Sequence, residues 1–179
     1  MKIRIALVLI IIAALTRLLP HPHNFTPIGA IGLFGAAYLG SRWLALAVPF
    51  GALFITDLFL NNVIYAAYYE GFTWVTSWWI YAAFALVIVA GRILLHSRVS
   101  PQRIVLASLT ASVLFFLVSN ISTWAETPLY PKTFAGLMTC YAAGLPFLGN
   151  TVLGDLFFSA VLFGGYYWAT RQKMVPVQE

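Results

Sequence analysis

Long apolar runs separated by short polar breaks dominate this chain, and no folding of them gives a water-facing globule. Of its 179 residues, 61% are hydrophobic and 8% charged, whereas a soluble domain carries about 25% charged residues. A chain this short has too much surface for its volume to hide that excess, so the excess must face lipid. A soluble enzyme, a nucleic-acid binder and a disordered protein are excluded together. The net charge of +5 does not restore nucleic acid as a partner, because the ten Lys and Arg are scattered between the apolar runs. Loop charges that set membrane topology are distributed in that way.

A transmembrane helix needs ~20 apolar residues. The sequence predicts helices over about 3–19, 27–40, 44–67, 74–95, 104–121 and 150–170, with a short apolar run at 133–145 broken by Gly144 and Pro146. The first run has a basic start like a signal peptide, but no small-residue cleavage site follows Arg17, so it is read as a helix. Let the N-terminus be cytoplasmic and the 133–145 run enter and leave on one side. Lys2, Arg4, Arg42, Arg92, Arg98, Arg103, Arg171 and Lys173 then face the cytoplasm, and only Arg17 and Lys132 lie outside. That bias is the one expected of inner loops. The expected fold is therefore an all-α membrane protein of the bacterial inner membrane, forming one polytopic domain over 1–179. It has six transmembrane helices, a short re-entrant or interfacial helix, and both termini cytoplasmic. Aromatic residues from Tyr65 to Trp79 on one side, and Trp43 and Tyr166–Trp168 on the other, suit the two interfaces.

Two stretches resemble each other. Pro27, Gly32-Leu33 and Gly40, followed by Pro49-Phe50 and Asp57-Leu58-Phe59, are echoed by Pro131, Gly136-Leu137 and Gly144, followed by Pro146-Phe147 and Asp155-Leu156-Phe157. The match points to an internal three-helix duplication. In transporters built that way, substrate binds where Gly/Pro-broken segments of the two halves meet.

Carboxylates inside apolar helices are costly, about 2.5–3.5 kcal/mol on insertion scales, so Asp57 and Asp155 need a reason to be there. Counted at ~1.5 Å per residue, Asp57 falls in the outer half of the membrane. Asp155 falls near the start of the last helix, where a carboxylate also complements the helix dipole. Arg17 is the ion-pair candidate for either. His21, His23, Asn24, Asn61, Asn62, Glu70, Asn120, Ser122, Trp124, Glu126, Asn150 and Thr151 are assigned to the same outer side. This one-sided polar concentration suits a cavity for a small molecule. Arg17, Asp57, Asn150 and Asp155 would form its floor, and Asn24, Trp124 and Glu126 its rim.

The remaining motifs are bland. His21-Pro22-His23 could hold a transition metal only with help from a carboxylate, and a hydrogen-bonded loop cap is the better reading, so no metal is assigned. Asn120-Ile121-Ser122 fits a glycosylation pattern but lies at a helix end. The single cysteine, Cys140, is a small packing residue. Gly32, Ala36 and Gly40 recur every four residues, as in closely packed membrane helices. They serve either internal packing or docking to another membrane subunit. No nucleophile–base motif, P-loop or metalloprotease helix occurs, so neither an enzyme nor a cofactor is expected.

Tyr141-Ala142-Ala143-Gly144-Leu145-Pro146-Phe147, leading to Gly154-Asp155-Leu156, resembles the segment before the last helix of biotin-type S-components of energy-coupling-factor vitamin transporters. His23-Asn24-Phe25-Thr26-Pro27-Ile28-Gly29-Ala30 and Leu33-Phe34-Gly35-Ala36 resemble a motif in a related family of uncharacterised bacterial membrane proteins. The resemblance implies a six-helix capture subunit binding a vitamin-like solute beneath the loop after the first helix. A transmembrane coupling subunit with two ATPases would then drive it to topple in the membrane. Biotin itself is not expected, because Phe157-Phe158 stand where the biotin-type pattern has a lysine. The alternative is a structural accessory subunit of a larger membrane complex, with no solute of its own.

Overall fold

A computed structural model describes residues 2–171. Six helices and no strand occur among them: α1 (Lys2–Thr16), α2 (Ile28–Tyr38), α3 (Arg42–Phe59), α4 (Trp78–Leu95), α5 (Pro101–Glu126) and α6 (Phe134–Arg171). A wide π turn over Leu60–Ile64 continues α3, and a 3-10 turn over Ala66–Tyr68 follows it. Three starts are fixed by serine caps. Ser41, Ser77 and Ser100 accept from the backbone N–H of Trp43, Trp79 and Arg103, satisfying donors that a helix end otherwise leaves orphaned. Pro101, in the first turn of α5, has no N–H to lose there.

The bundle is organised around α2. All residues from Ile28 to Ala36 are buried, as befits a helix that is apolar all round. α1, α3, α4, α5 and α6 all pack on it. Small residues set the distances: a side chain on Gly32 would meet Ile88 at 3.3 Å, and one on Gly35 would meet Pro49 at 2.9 Å. Gly91 of α4 faces Leu33 and Ala36 with equally little room. The Gly32–Ala36 stripe is thus consumed by internal packing, while Gly40 faces open space. Outward faces are apolar: Ile11, Ile55, Ile93, Leu153 and Trp168 are each more than half exposed. Among the described residues, four helical segments are long and apolar enough to cross a membrane: Arg42–Ile64, Trp78–Leu95, Pro101–Glu126 and Phe134–Arg171. At ~1.5 Å per residue, the 11 residues of α2 cover roughly half of a bilayer core about 30 Å thick.

Several expected boundaries move. The helix expected over 104–121 runs to Glu126, because Asn120 and Thr123 return their donors to the carbonyls of Phe116 and Ser119. Polar side chains so satisfied do not end a helix. The helix expected over 74–95 starts later, at the Ser77 cap. The separate short helix at 133–145 does not exist. It is the first part of α6, which continues through Pro146 for 38 residues. A proline inside a helix removes one hydrogen bond and crowds the preceding turn. Here α5 braces that turn: Asn120 closes on Gly144, and Tyr141 donates to the Leu117 carbonyl at 3.0 Å. The two halves of the apparent repeat also fold differently. The first becomes α2, a turn and α3, and the second becomes one continuous helix.

Candidate functional site

Arg17 stands one residue past α1, and its Nη1 reaches Asp57 Oδ1 of α3 at 2.5 Å and Thr56 Oγ1 at 2.7 Å. The ion pair expected of Arg17 therefore forms with Asp57. The Tyr81 hydroxyl of α4 donates to the other Asp57 oxygen at 3.4 Å, and Asp57 is 4% exposed.

Asp155 is equally buried, at 4%, but its surroundings differ. It lies past the midpoint of α6, so the dipole of its own helix gives no reason for its charge. Its carboxylate instead abuts Gly29 in the first turn of α2, where a Cβ would collide with it. A helix N-terminus carries about half a positive charge, and α2 has no side-chain cap of its own. Ser112 donates to Asp155 Oδ2 at 2.7 Å. One helical turn below, Ser108 donates to Ser159 at 2.9 Å, so a short polar ladder ties α5 to α6. Among the described residues no Lys, Arg or His lies within ion-pair distance of Asp155.

Two cavities adjoin these groups. A chamber of about 180 Å³ is lined by Arg17, Asn24, Asp57, Thr76, Thr151 and Asp155, with Phe84 and Phe115 among its apolar walls. A wider cavity of about 590 Å³, towards the α5–α6 connection, is lined by Asn120, Glu126, Tyr130 and Phe147 among others. Asn24, Thr76, Ile80, Phe115 and Thr151 line both, so the two adjoin. Asn24 has a positive φ of 63°, a conformation asparagine tolerates better than most residues. The turn it closes folds the loop after α1 over the chamber, and Phe25 and Thr26 of that loop press on Gly154.

Of the seven residues expected at the site, Arg17, Asn24, Asp57 and Asp155 line the chamber, and Glu126 lines the wider cavity. Glu126 accepts from Ser77 at 2.9 Å and Ser122 at 2.7 Å. The other two lie elsewhere. Trp124 donates its indole N–H to the Pro131 carbonyl at 2.8 Å, and Lys132 lies over its ring and caps the end of α5. Asn150 donates to the His23 carbonyl at 3.0 Å and tethers the loop without lining either cavity. The sequence gives no site role to Gly29, Thr76 or Ser112. The visible signal for Ser112 is its spacing of four from Ser108 in an apolar helix. His21 and His23 show no convergent partner, and among the described residues no three metal-ligating side chains come together.

Fold and site define an all-helical protein with membrane-length apolar helices around an internal polar chamber. A family model, described as a family of unknown function (DUF6580), matches residues 1–177, and the chain belongs to that family. No curated protein and no solved structure matches it.

Proposed function

We propose that this protein is a membrane-embedded binding and uptake subunit for a small vitamin-like solute, akin to the S-components of energy-coupling-factor transporters. The observation that carries this reading is the pair of adjoining cavities, the smaller lined by Asp57, Arg17 and Asp155. Ionisable groups buried among membrane helices mark solute or ion pathways. Arg42 at the start of α3, Arg98 between α4 and α5, and Arg103 in the first turn of α5 share one end of the bundle, while the opposite end has Arg17 and Lys132. Under the positive-inside rule, this supports six crossings in the bacterial inner membrane, cytoplasmic termini and a cavity facing outward. Function would be capture and passage, without covalent chemistry. A coupling subunit with ATPases, or another membrane complex, would complete it. Ala6, Ala13 and Ala14 of α1 are buried, so such a partner would dock on another face.

The accessory-subunit alternative keeps one observation in its favour. Tyr68, Phe72, Trp74 and Trp78 form an exposed aromatic group after α3, although its default role is at the membrane interface. Native mass spectrometry of protein purified in mild detergent separates the two readings. A stoichiometric polar compound, released on denaturation, is expected. Protein that is empty or carries only lipid, and that co-purifies with other membrane subunits, would overturn the capture reading.

A further inference from the structure

We infer that the captured solute is an organic cation whose charged head seats against Asp155, with its body in the wider cavity. This rests on the capture reading and names its substrate class.

The argument starts from charge. Three carboxylates line the two adjoining cavities, those of Asp57, Asp155 and Glu126, against the single guanidinium of Arg17. The charge of that guanidinium is already balanced by Asp57, which its Nη1 reaches at 2.5 Å. An anionic solute would therefore meet two uncompensated carboxylates and no free cation. Asp155 is 4% exposed and lines the chamber. Its Oδ2 takes the Ser112 hydroxyl, while no donor among the described residues reaches its Oδ1. The N-terminus of α2 supports a negative charge there but leaves it only half balanced. A buried carboxylate is kept when a counter-charge completes it, and the open position beside it is the chamber.

Size and walls refine the class. The chamber's ~180 Å³ equals the share of about six liquid waters, enough for an ammonium or a small heteroaromatic cation with its first substituents. Phe84 and Phe115 stack with ring centroids 5.3 Å apart along one wall. Aromatic faces attract cations by their quadrupole, more strongly when desolvated. The wider cavity, at ~590 Å³, takes the rest of the molecule. Glu126 lines it, and a carboxylate in a low-dielectric cleft raises the local concentration of cations.

The test has two arms on full-length protein in mild detergent. In the first, the compound released in native mass spectrometry is identified and its charge assigned. A permanent or protonated cation is expected. A neutral or anionic solute would overturn this inference while leaving the capture reading intact. In the second arm, benzylammonium, benzyl alcohol and benzoate, matched in size and differing in charge, are titrated against thermal unfolding with sodium chloride as the inorganic control. Benzylammonium alone is expected to stabilise, and Asp155→Asn to weaken its binding about 30-fold or more, as loss of one partner of a buried charge pair does. Equal binding of benzyl alcohol, unchanged binding by Asp155→Asn, or full stabilisation by sodium alone would each refute an organic-cation site. Should Asp155→Asn not fold, the ranking of the three probes on the unaltered protein decides alone. No released compound together with no probe binding would remove both this inference and the capture reading.

Discussion

Arg17 and Asp57 form a pair whose energetics can be worked out in advance. Their side chains are 17% and 6% exposed, with a 2.5 Å contact. Arg17→Ala leaves the Asp57 carboxylate buried, with only the Tyr81 hydroxyl at 3.4 Å near its far oxygen. Leaving one member of a buried pair alone costs about 3–5 kcal/mol. Asp57→Ala leaves Arg17 with Thr56 and a route to the chamber, so its cost belongs near the lower end of that range. The double substitution removes both charges and strands neither. It is expected to cost less than the sum of the singles by about 2–3 kcal/mol, the upper range of coupling for contacting residues. Unfolding in mixed micelles of rising denaturing-detergent fraction, followed by tryptophan fluorescence, gives the three free energies of the cycle. A coupling below about 1 kcal/mol, the value for exposed pairs, would refute the claim that this ion pair is buried and structural. The same variants separate structure from binding: a change that leaves folding intact but abolishes solute capture assigns that side chain to the ligand.

Three further outcomes are expected. Gly29→Ala drives a methyl into the Asp155 carboxylate and should cost about 1–3 kcal/mol by overpacking, whereas Gly40→Ala, facing open space, should lie within about 0.5 kcal/mol of the parent; thermal unfolding midpoints compare them. Trp124→Phe removes the bond to Pro131 and should cost about 1 kcal/mol while solute affinity, measured by titration, stays unchanged. On a Cys140→Ser background, Lys132→Cys should be labelled by an impermeant maleimide in intact cells and Arg98→Cys only after permeabilisation; the reverse pattern would invert the proposed orientation.

The helices and the charged part of the site were legible because apolar runs and buried charges are loud signals. Arg17 and Asp57 stand out in a lipid-facing chain, and their pairing follows from both lying towards the same end. What was not legible were consequences of neighbours. The apolar pattern runs through Pro49 and breaks at Pro146, yet both lie inside helices; whether a proline ends a helix depends on what braces the turn, and Asn120 is distant in sequence. Trp124 and Asn150 are expected at the site because a helix-end position predicts the side of the membrane. It does not predict the direction of a side chain, and both point to backbone carbonyls. Gly29 and Ser112 carry no charge and blend into apolar runs, so their contact with Asp155 shows only when α2, α5 and α6 are brought together.

The chamber exists because α2 is short. α2 occupies the centre of the bundle, but it begins with Ile28 and Gly29 at the level of Asp155, which lies past the midpoint of α6. Beyond that level the surrounding helices continue with no helix between them, and Ile28 and Gly29 are the only α2 residues on the chamber wall. The loop after α1 folds down to roof the gap, held by Asn150 at His23. The void is thus a product of helix length and not a packing flaw, and that distinction has a measurable consequence. Ala111, buried on α5, lines the chamber. In a tightly packed core an added side chain costs about 1–3 kcal/mol through strain; in a built void the added carbons find space and gain contacts. Ala111→Leu is therefore expected to leave unfolding free energy within about 1 kcal/mol of the parent while excluding solute or benzylammonium from the chamber. Retained binding, or destabilisation of the size that overpacking brings, would mean that the space beside Asp155 is not a receptacle.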